Sequence, residues 1–444
     1  MIMFKKLYIP LILSVVLLSC SKNRIDDPEF GEGDYPRIFD ILNVFNTPTM
    51  IINAGDTAKY NGLLFSPVGK VKVAWKVDGE IKSTDTVFAF SPDAGGEYTV
   101  DLEVEFNGLK SYRSKKVLVS PDTYTPAPYT QVVMGYLTAA GTAVDVDLAH
   151  LTHVAFQAGR VSSDGSLDVS AGEVNQRMAE LVARAHIAGR PVLLGITGRL
   201  SGVDGWALYE ANDFGQAIRE PASRAALIAN VANYVTNRKL DGVEILMTDI
   251  NSGSYAANVA AIAPFITGLR AELPAEALIT VTVGAGWQHW DYPDLSGADW
   301  VNVRAFEDGL HVGPGAPRGQ ASGYDYMVSA AKIWTDFHLP ADKLVIGLPA
   351  FGLRYNAVDA DGNNESWGSY EYLSYRAILG LDPAAADKEM VNSNFGVYYN
   401  GKPLVKQKAD YIKATAFKGA FLWAVDYDSM DDASLLKVLS DALK

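Results

Sequence analysis

Eight apolar runs of strand length recur between residues 131 and 444, and stretches long enough for helices separate most of them. The runs are Val132–Leu137, His153–Gln157, Pro191–Ile196, Gly242–Met247, Leu278–Val283, Trp300–Ala305, Leu344–Pro349 and Gly419–Ala424. Continuous apolar strands that alternate with helices are typical of a parallel sheet covered by helices. Eight such units over this length predict an α/β fold, a (β/α)8 TIM barrel, for residues 131–444.

The segment ahead of the barrel carries strand signals only. Its β-like runs are rich in Val, Thr, Tyr and Phe, and turn sequences such as Asp-Gly and Asn-Gly separate them. This predicts a small all-β sandwich over residues 35–120, followed by a Pro-rich linker over 121–130. The sequences WKVDG at 75–79 and GEYTV at 96–100 resemble immunoglobulin-like and polycystic-kidney-disease-type modules. A spacer is the favoured role for this domain, and carbohydrate binding is the alternative.

The N-terminus has the pattern of a secretory signal. Lys5 and Lys6 precede an apolar run, Leu7–Leu18, that is short for a membrane-spanning helix. The run ends LLSC at 17–20, which resembles a bacterial lipobox, where the chain is cut before a cysteine that becomes lipidated. An ordinary secretory signal that happens to contain a cysteine is the alternative.

The lipobox resemblance predicts a signal peptide over residues 1–19 and a lipidated Cys20 that begins a polar tether over 20–34. Similar acidic tethers occur on surface lipoproteins of the Bacteroides group. We therefore expect an outer membrane lipoprotein exposed on the cell surface. Its contact with the membrane would be through the lipid alone, and outer-membrane glycan uptake proteins are its expected partners.

Composition restricts the other partners and cofactors. The net charge is −14, which opposes binding to nucleic acid because phosphate recognition needs a basic surface. Cys20 is the one cysteine, so no intrachain disulfide can form. The segment DADGNNE at 359–365 looks like a calcium loop, but its glycine is misplaced for an EF-hand. With no zinc spacing, phosphate loop or dinucleotide motif, we expect no metal and no cofactor.

Several strand sequences share one resemblance. They are LTH at 151–153, LDGV at 240–243, KLVIGLPAFG at 343–352 and GAFLWAVDYD at 419–428. In this order and at these intervals they resemble glycoside hydrolase family 18, which includes chitinases and endo-β-N-acetylglucosaminidases. The resemblance implies a barrel with its site at the C-terminal mouth, and a glycan containing N-acetylglucosamine as ligand.

The catalytic signature of that family is altered in this chain. The family carries Asp-Gly-x-Asp-x-Asp-x-Glu on its fourth strand, and residues 241–248 read DGVEILMT. Side chains alternate faces along a strand, so Glu244, Leu246 and Thr248 point into the barrel. The resemblance then implies that Leu246 replaces the carboxylate that orients the acetamido group, and that Thr248 replaces the catalytic glutamic acid.

Family 18 enzymes use the substrate's own N-acetyl oxygen as nucleophile, while the glutamic acid protonates the leaving group. A threonine hydroxyl is too weak an acid for that proton transfer. On the sixth strand the family's Met-x-Tyr-Asp reads Arg304-Ala-Phe306-Glu307, so the tyrosine hydroxyl that holds the acetamido oxygen is also missing. We therefore expect no catalytic residue, with Glu307 as the best remaining acid and Asp249 and the deeper Glu244 as weaker ones.

Other positions retain features suited to glycan binding. Trp423 matches the tryptophan that lies under the sugar in the family, and sugar C–H faces stack well on aromatic rings. The remaining predicted glycan-binding residues are Tyr136, Trp287, Trp290, Arg304, Glu307 and Asp426. There are alternatives for these residues. Trp423 could pack in the core, and the loop around Trp287 and Trp290 could pack on itself. Arg304 could form an ion pair with Glu244 or Glu307.

The resulting hypothesis is a surface lipoprotein whose degenerate barrel holds a glycan without cutting it. An active chitinase-like or endo-β-N-acetylglucosaminidase-like hydrolase with a relocated acid is one alternative. A protein-binding or inhibitory barrel is another, and fold alone cannot choose among the three.

Overall fold

The computed structural model describes residues 35–170, 173–198, 210–246, 255–285, 289–307 and 310–444. The predicted signal peptide and tether, with Cys20, lie outside these ranges, as do Thr248, Asp249 and Trp287. The chain forms two compact units. Of the described residues, the first comprises 35–46, 60–88 and 101–114, and the second comprises 47–59, 89–100 and those from 115 onward.

Between residues 37 and 120, a stretch described throughout, the chain forms strands and no helix. The strands are β1 (Arg37–Asp40), β2 (Thr49–Asn53), β3 (Ala58–Tyr60), β4 (Leu63–Ser66), β5 (Lys72–Val77), β6 (Glu80–Ser83), β7 (Phe88–Phe90), β8 (Gly96–Phe106) and β9 (Leu109–Ser120). In the first unit the fully buried Trp75 packs against Tyr60, Phe88 and Phe45, with ring centres 5.2 to 6.2 Å away. The all-β prediction is confirmed, while the immunoglobulin-like assignment and the boundary at 120 stay predictions.

The second unit contains the predicted barrel. Its strands are β10 (Val132–Leu137), β11 (His153–Val161), β13 (Val192–Gly198), β14 (Gly242–Leu246), β15 (Leu278–Gly284), β16 (Trp300–Arg304), β17 (Leu344–Pro349) and β22 (Gly419–Trp423). A short strand, β12 (Leu167–Asp168), pairs antiparallel with β11. The eight barrel strands pair in parallel with their neighbours, and β22 pairs with β10 to close the ring. The (β/α)8 prediction is confirmed.

The two faces of β14 follow the predicted alternation. Val243 and Ile245 belong to the apolar cluster between strands and helices, which also holds Leu227 and Phe265. Glu244 faces the other way and is fully buried among polar side chains of neighbouring strands. The strand therefore keeps its packing face, and Glu244 and Leu246, the changed residues within β14, alternate with it.

The helices cover the outside of the barrel. They are α1 (Val174–Ile187), α2 (Glu210–Arg219), α3 (Pro221–Asn237), α4 (Tyr255–Ala260), α5 (Ile262–Glu272), α6 (Tyr324–Asp336), α7 (Tyr375–Leu379), α8 (Lys402–Ala414) and α9 (Leu435–Leu443). Helix α3 begins at Pro221, because proline at the first position forfeits no helical hydrogen bond. The buried Asp428 accepts from the backbone N–H groups of Leu435 and Leu436 at 3.0 and 2.9 Å, which anchors α9 beyond the end of β22.

An antiparallel sheet interrupts the repeat between β17 and β22. Its strands are β18 (Phe351–Tyr355), β19 (Tyr370–Ser374), β20 (Met390–Val391) and β21 (Val397–Tyr399). Because β18 starts two residues after β17 ends, this sheet extends from the C-terminal end of the barrel. Among the described residues, no helix is long and apolar enough to cross a membrane.

Candidate functional site at the barrel mouth

An aromatic floor lies at the C-terminal end of the barrel. Trp423, the last residue of β22, is partly exposed. Its ring centre lies 5.0 Å from that of Tyr136 on β10 and 6.2 Å from that of Phe306, which follows β16. Tyr136 and Phe306 are themselves buried, and their rings pack against the indole at a tilt of 41° each. The floor therefore presents one partly open aromatic face to the mouth.

A polar network fills the barrel below this floor. The carboxylate of Glu244 accepts hydrogen bonds from the hydroxyls of Thr280 and Thr282. Asn302 donates to Glu244 Oε2 at 2.8 Å and to the Tyr136 hydroxyl at 3.1 Å. The Tyr136 and Thr282 hydroxyls lie 2.7 Å apart. All five side chains are at most 2% exposed.

Burial determines the protonation of this network. It raises the pKa of Glu244 from 4.5 to about 7, although the hydrogen bonds from its neighbours oppose the shift. Burial also raises the pKa of Tyr136 well above its usual value, with the Glu244 charge as a further cause. The carboxyl group of Glu244 is thus buried in the barrel core, where it cannot reach a glycosidic oxygen. Tyr136, predicted to bind glycan, is inaccessible and acts on the mouth only by supporting Trp423.

Two of the described replacements at family catalytic positions, Leu246 and Phe306, are apolar and well packed. Leu246 ends β14 and is 6% exposed. Phe306 is 2% exposed and packs edge-on against Phe351 and Phe421, at 5.8 and 6.0 Å between ring centres. Neither side chain carries a group that can orient an amide or transfer a proton. An aliphatic and an aromatic side chain thus occupy two positions where the family resemblance implies polar contacts.

An ion pair stands beside the floor. Arg304, the last residue of β16, pairs with Glu307, whose backbone adopts a φ of +60°. The Arg304 guanidinium carbon lies 5.3 Å from the Phe306 ring centre and 5.8 Å from that of Trp423. Such distances permit cation–π attraction to both rings. Of the two ion pairs considered for Arg304, the structure shows the one with Glu307.

The other predicted binding residues are more dispersed. The Asp426 carboxylate accepts from the backbone N–H of Thr138 at 3.2 Å and from its hydroxyl at 2.6 Å, so it fixes the loop after β10. Trp290 lies in a short turn after β15, is 55% exposed, and has its ring 5.0 Å from that of His289. Among the described side chains, no group of three or more His, Cys, Asp or Glu could hold a metal ion.

One mouth residue was missed from the sequence. Tyr372 on β19 is half exposed, and its ring packs edge-on against that of Phe351 at 5.4 Å between centres. Phe351 in turn packs against Phe306 beside the floor. Tyr370 and Tyr372 alternate along one strand, which indicates a shared face. This spacing of two tyrosines is visible in the sequence. The contact between β19 and the barrel mouth, however, depends on the antiparallel sheet, which the sequence pattern did not predict.

Comparison with known proteins identifies the barrel. Residues 132–428 match the family model for glycosyl hydrolases family 18. A probable endochitinase of Caenorhabditis elegans is 23% identical over 273 residues, which cover 51% of this chain and 43% of that protein. The chain thus spans less than half of that relative.

Solved structures share the fold. A chitinase from Bacteroides thetaiotaomicron has a TM-score of 0.57 at 24% identity, covering 71% of this chain and 97% of that one. A chitinase-like agglutinin from Robinia pseudoacacia has a TM-score of 0.56 at 19% identity, covering 70% and 99%. At these identities the likeness establishes the fold and not the activity.

Proposed function

We propose that this chain, which belongs to glycosyl hydrolase family 18, holds a glycan at its barrel mouth and does not hydrolyse it. The observation that carries the proposal is the apolar inner face around the floor, where Leu246 and Phe306 stand at family catalytic positions. Thr248, known from the sequence alone, replaces the acid itself. Three cooperating functions, namely proton donation, orientation of the acetamido group and its hydroxyl clamp, are then missing together.

Among the carboxylates that the structure describes near the mouth, none offers a ready substitute for the acid. Glu244 is sealed beneath the floor, Glu307 is paired with Arg304, and Asp426 is held by Thr138. General acid catalysis requires a proton donor within hydrogen-bond reach of the leaving oxygen. Glu307 is exposed and pairs with Arg304, whose guanidinium faces Trp423, so it is the residue to test for a relocated acid.

Glycan binding is supported by what the mouth retains. Trp423 offers an aromatic face, and Arg304 and Glu307 beside it supply polar groups that sugar hydroxyls can bind. The family membership favours a glycan that contains N-acetylglucosamine as the ligand. A catalytically silent member of the fold that binds glycan would need this floor and no acid.

Restoring the acid alone is expected to leave the protein inactive. Thr248→Glu should give no measurable release of product from chitooligosaccharides or N-glycans, because Leu246 and Phe306 would still fail to position the acetamido group. Chromatography of the products after long incubation measures this. Clear turnover by Thr248→Glu would show that the rest of the site is competent, and would contradict the proposal.

The wild-type protein should bind chitooligosaccharides in calorimetry and release no hydrolysis product. The variant Glu307→Gln should likewise release no product. Hydrolysis by the wild type that survives Thr248→Ala and disappears in Glu307→Gln would instead establish a hydrolase with a relocated acid. Absence of binding to every glycan tested, with Trp423→Ala indistinguishable from wild type, would favour a protein-binding barrel.

The proposal includes a lipid anchor on Cys20, which rests on the sequence LLSC and its charged, apolar leader. An outer membrane protein on the cell surface could pass its glycan to uptake proteins. Cys20→Ser should abolish incorporation of a labelled fatty acid and release the protein from the membrane fraction. Retention of both label and membrane association in that variant would rule the anchor out. Protease treatment of intact cells distinguishes the external from the periplasmic face.

A further inference from the structure

A cavity of about 590 Å³ lies at the end of the barrel opposite the mouth, within the second unit. His153 and Leu278 begin β11 and β15, and Pro191 directly precedes β13, so the cavity lies at the N-terminal ends of these strands. Residues of the segment 121–130 form its other wall. The volume falls within the range of about 300–1,000 Å³ found for small-molecule sites.

The wall formed by segment 121–130 is fixed in place. The Tyr124 hydroxyl donates to Asp241 Oδ1 at 2.7 Å, and its ring stacks on that of His186 with centres 4.0 Å apart. Asp241 Oδ2 in turn lies 2.9 Å from His186 Nε2 and accepts from the backbone N–H of Val192 at 2.7 Å. A ligand would therefore meet a wall that is already ordered, which lowers the entropic cost of binding.

The lining of the cavity includes His153, one of whose ring nitrogens makes no hydrogen bond with a described residue. His153 is 2% exposed and lies between the rings of Tyr129 and Trp300, each 5.0 Å away between centres. Its Nδ1 lies 2.8 Å from the Thr152 hydroxyl. Within the described ranges of the chain, no hydrogen-bond partner reaches its Nε2. Burial lowers the pKa of His153 to about 4, so the ring is neutral at physiological pH.

The contacts of the Thr152 hydroxyl indicate which nitrogen carries the proton. This oxygen lies 3.1 Å from the Val133 carbonyl, which can only accept, and it accepts from the Val133 N–H at 2.9 Å. All three contacts of the hydroxyl are hydrogen bonds only if His153 Nδ1–H donates to it. Nε2 then carries a lone pair, which can accept a hydrogen bond from a donor in the cavity.

We propose that this cavity is a second ligand site, which binds a neutral pyranose sugar through a hydroxyl that donates to His153 Nε2. The rings of Pro191, Pro274 and Tyr129 line it with apolar surface for the C–H faces of a sugar. Asp122 and Glu276, which also line the cavity, can accept hydrogen bonds from further hydroxyls. A site at this end is independent of the mouth, so neither proposal depends on the other.

Histidine-selective ¹⁵N NMR of the intact protein, titrated with methyl β-glucopyranoside and separately with phenol, tests the inference. We expect the pyranoside to shift the His153 Nε2 resonance saturably. His153→Phe, which keeps a ring between Tyr129 and Trp300, should lower the pyranoside affinity at least tenfold with little change in melting temperature. In this variant the affinity is followed through the ring nitrogens of His186, which also lines the cavity. Trp423→Ala, at the opposite end, should leave this affinity unchanged and is the matched control.

Three results would overturn the inference. The first is that the His153 Nε2 resonance does not shift with the pyranoside up to its solubility limit. The second is that this resonance shifts saturably with phenol and not with the pyranoside. The third is that His153→Phe binds the pyranoside with unchanged affinity. If His153→Phe does not fold, Tyr129→Ala replaces it, because Tyr129 is 45% exposed and removing its ring opens the cavity wall. An unchanged affinity in that variant would likewise count against the site.

Discussion

Trp423→Ala is expected to weaken glycan binding at the mouth by about 10- to 100-fold, which corresponds to a loss of about 1–3 kcal/mol. Trp423 is the partly exposed member of the aromatic floor, and Tyr136 and Phe306 beneath and beside it are buried. Removing the indole deletes the surface on which a sugar ring would stack. It also removes one of the two rings that face the Arg304 guanidinium.

Calorimetry with a chitooligosaccharide that binds the wild type measures the effect. Trp423→Phe is the matched variant, because it keeps a smaller aromatic face and should lie between wild type and alanine. Melting temperatures separate lost binding from lost folding, since the indole also packs on Tyr136. Equal affinities for the wild type and a folded Trp423→Ala protein would show that the ligand does not use this floor.

Glu244→Gln is expected to remove a pH-dependent loss of stability of about 3 kcal/mol. The pKa of Glu244 is raised to about 7 in the fold, mainly by burial. Between about pH 4.5 and 7 the folded chain keeps this proton while the unfolded chain releases it, so the wild type loses stability as the pH rises. Below that window the contribution is fully present, and above it no further loss occurs.

The neutral amide of Gln has no proton to lose. At pH 4 the free energy of unfolding of the variant should therefore equal that of the wild type, apart from the cost of rearranging the hydrogen bonds to Thr280 and Thr282. By pH 8 it should be more stable than the wild type by most of the 3 kcal/mol. Urea unfolding at pH 4, 6 and 8 measures the difference. Glu272→Gln, on the exposed end of α5, measures the same chemical change at the surface. A difference between wild type and Glu244→Gln that is constant with pH would contradict the burial argument.

The sequence by itself determined the barrel and the residue types that stand at the family's catalytic positions. Strand and helix periods are local properties, so eight apolar runs were enough to predict eight parallel strands. Side-chain alternation, also local, placed Glu244 and Leu246 on the inner face of β14. The family resemblance then identified which chemical groups were lost, because a leucine and a phenylalanine lack those groups in any tertiary setting.

Only the tertiary structure decided which polar groups meet. The sequence left Arg304 with two acidic candidates, and the fold pairs it with Glu307 because both lie at the end of β16. Tyr136 reads as a mouth residue in sequence, yet the floor above it covers it completely. The segment 121–130 reads as a linker, yet Tyr124 docks on Asp241 and encloses a cavity. The Arg304–Glu307 pair joins residues only three apart. The burial of Tyr136 and the docking of Tyr124 depend on atoms far apart along the chain, so they follow only once the barrel has closed and brought those atoms together.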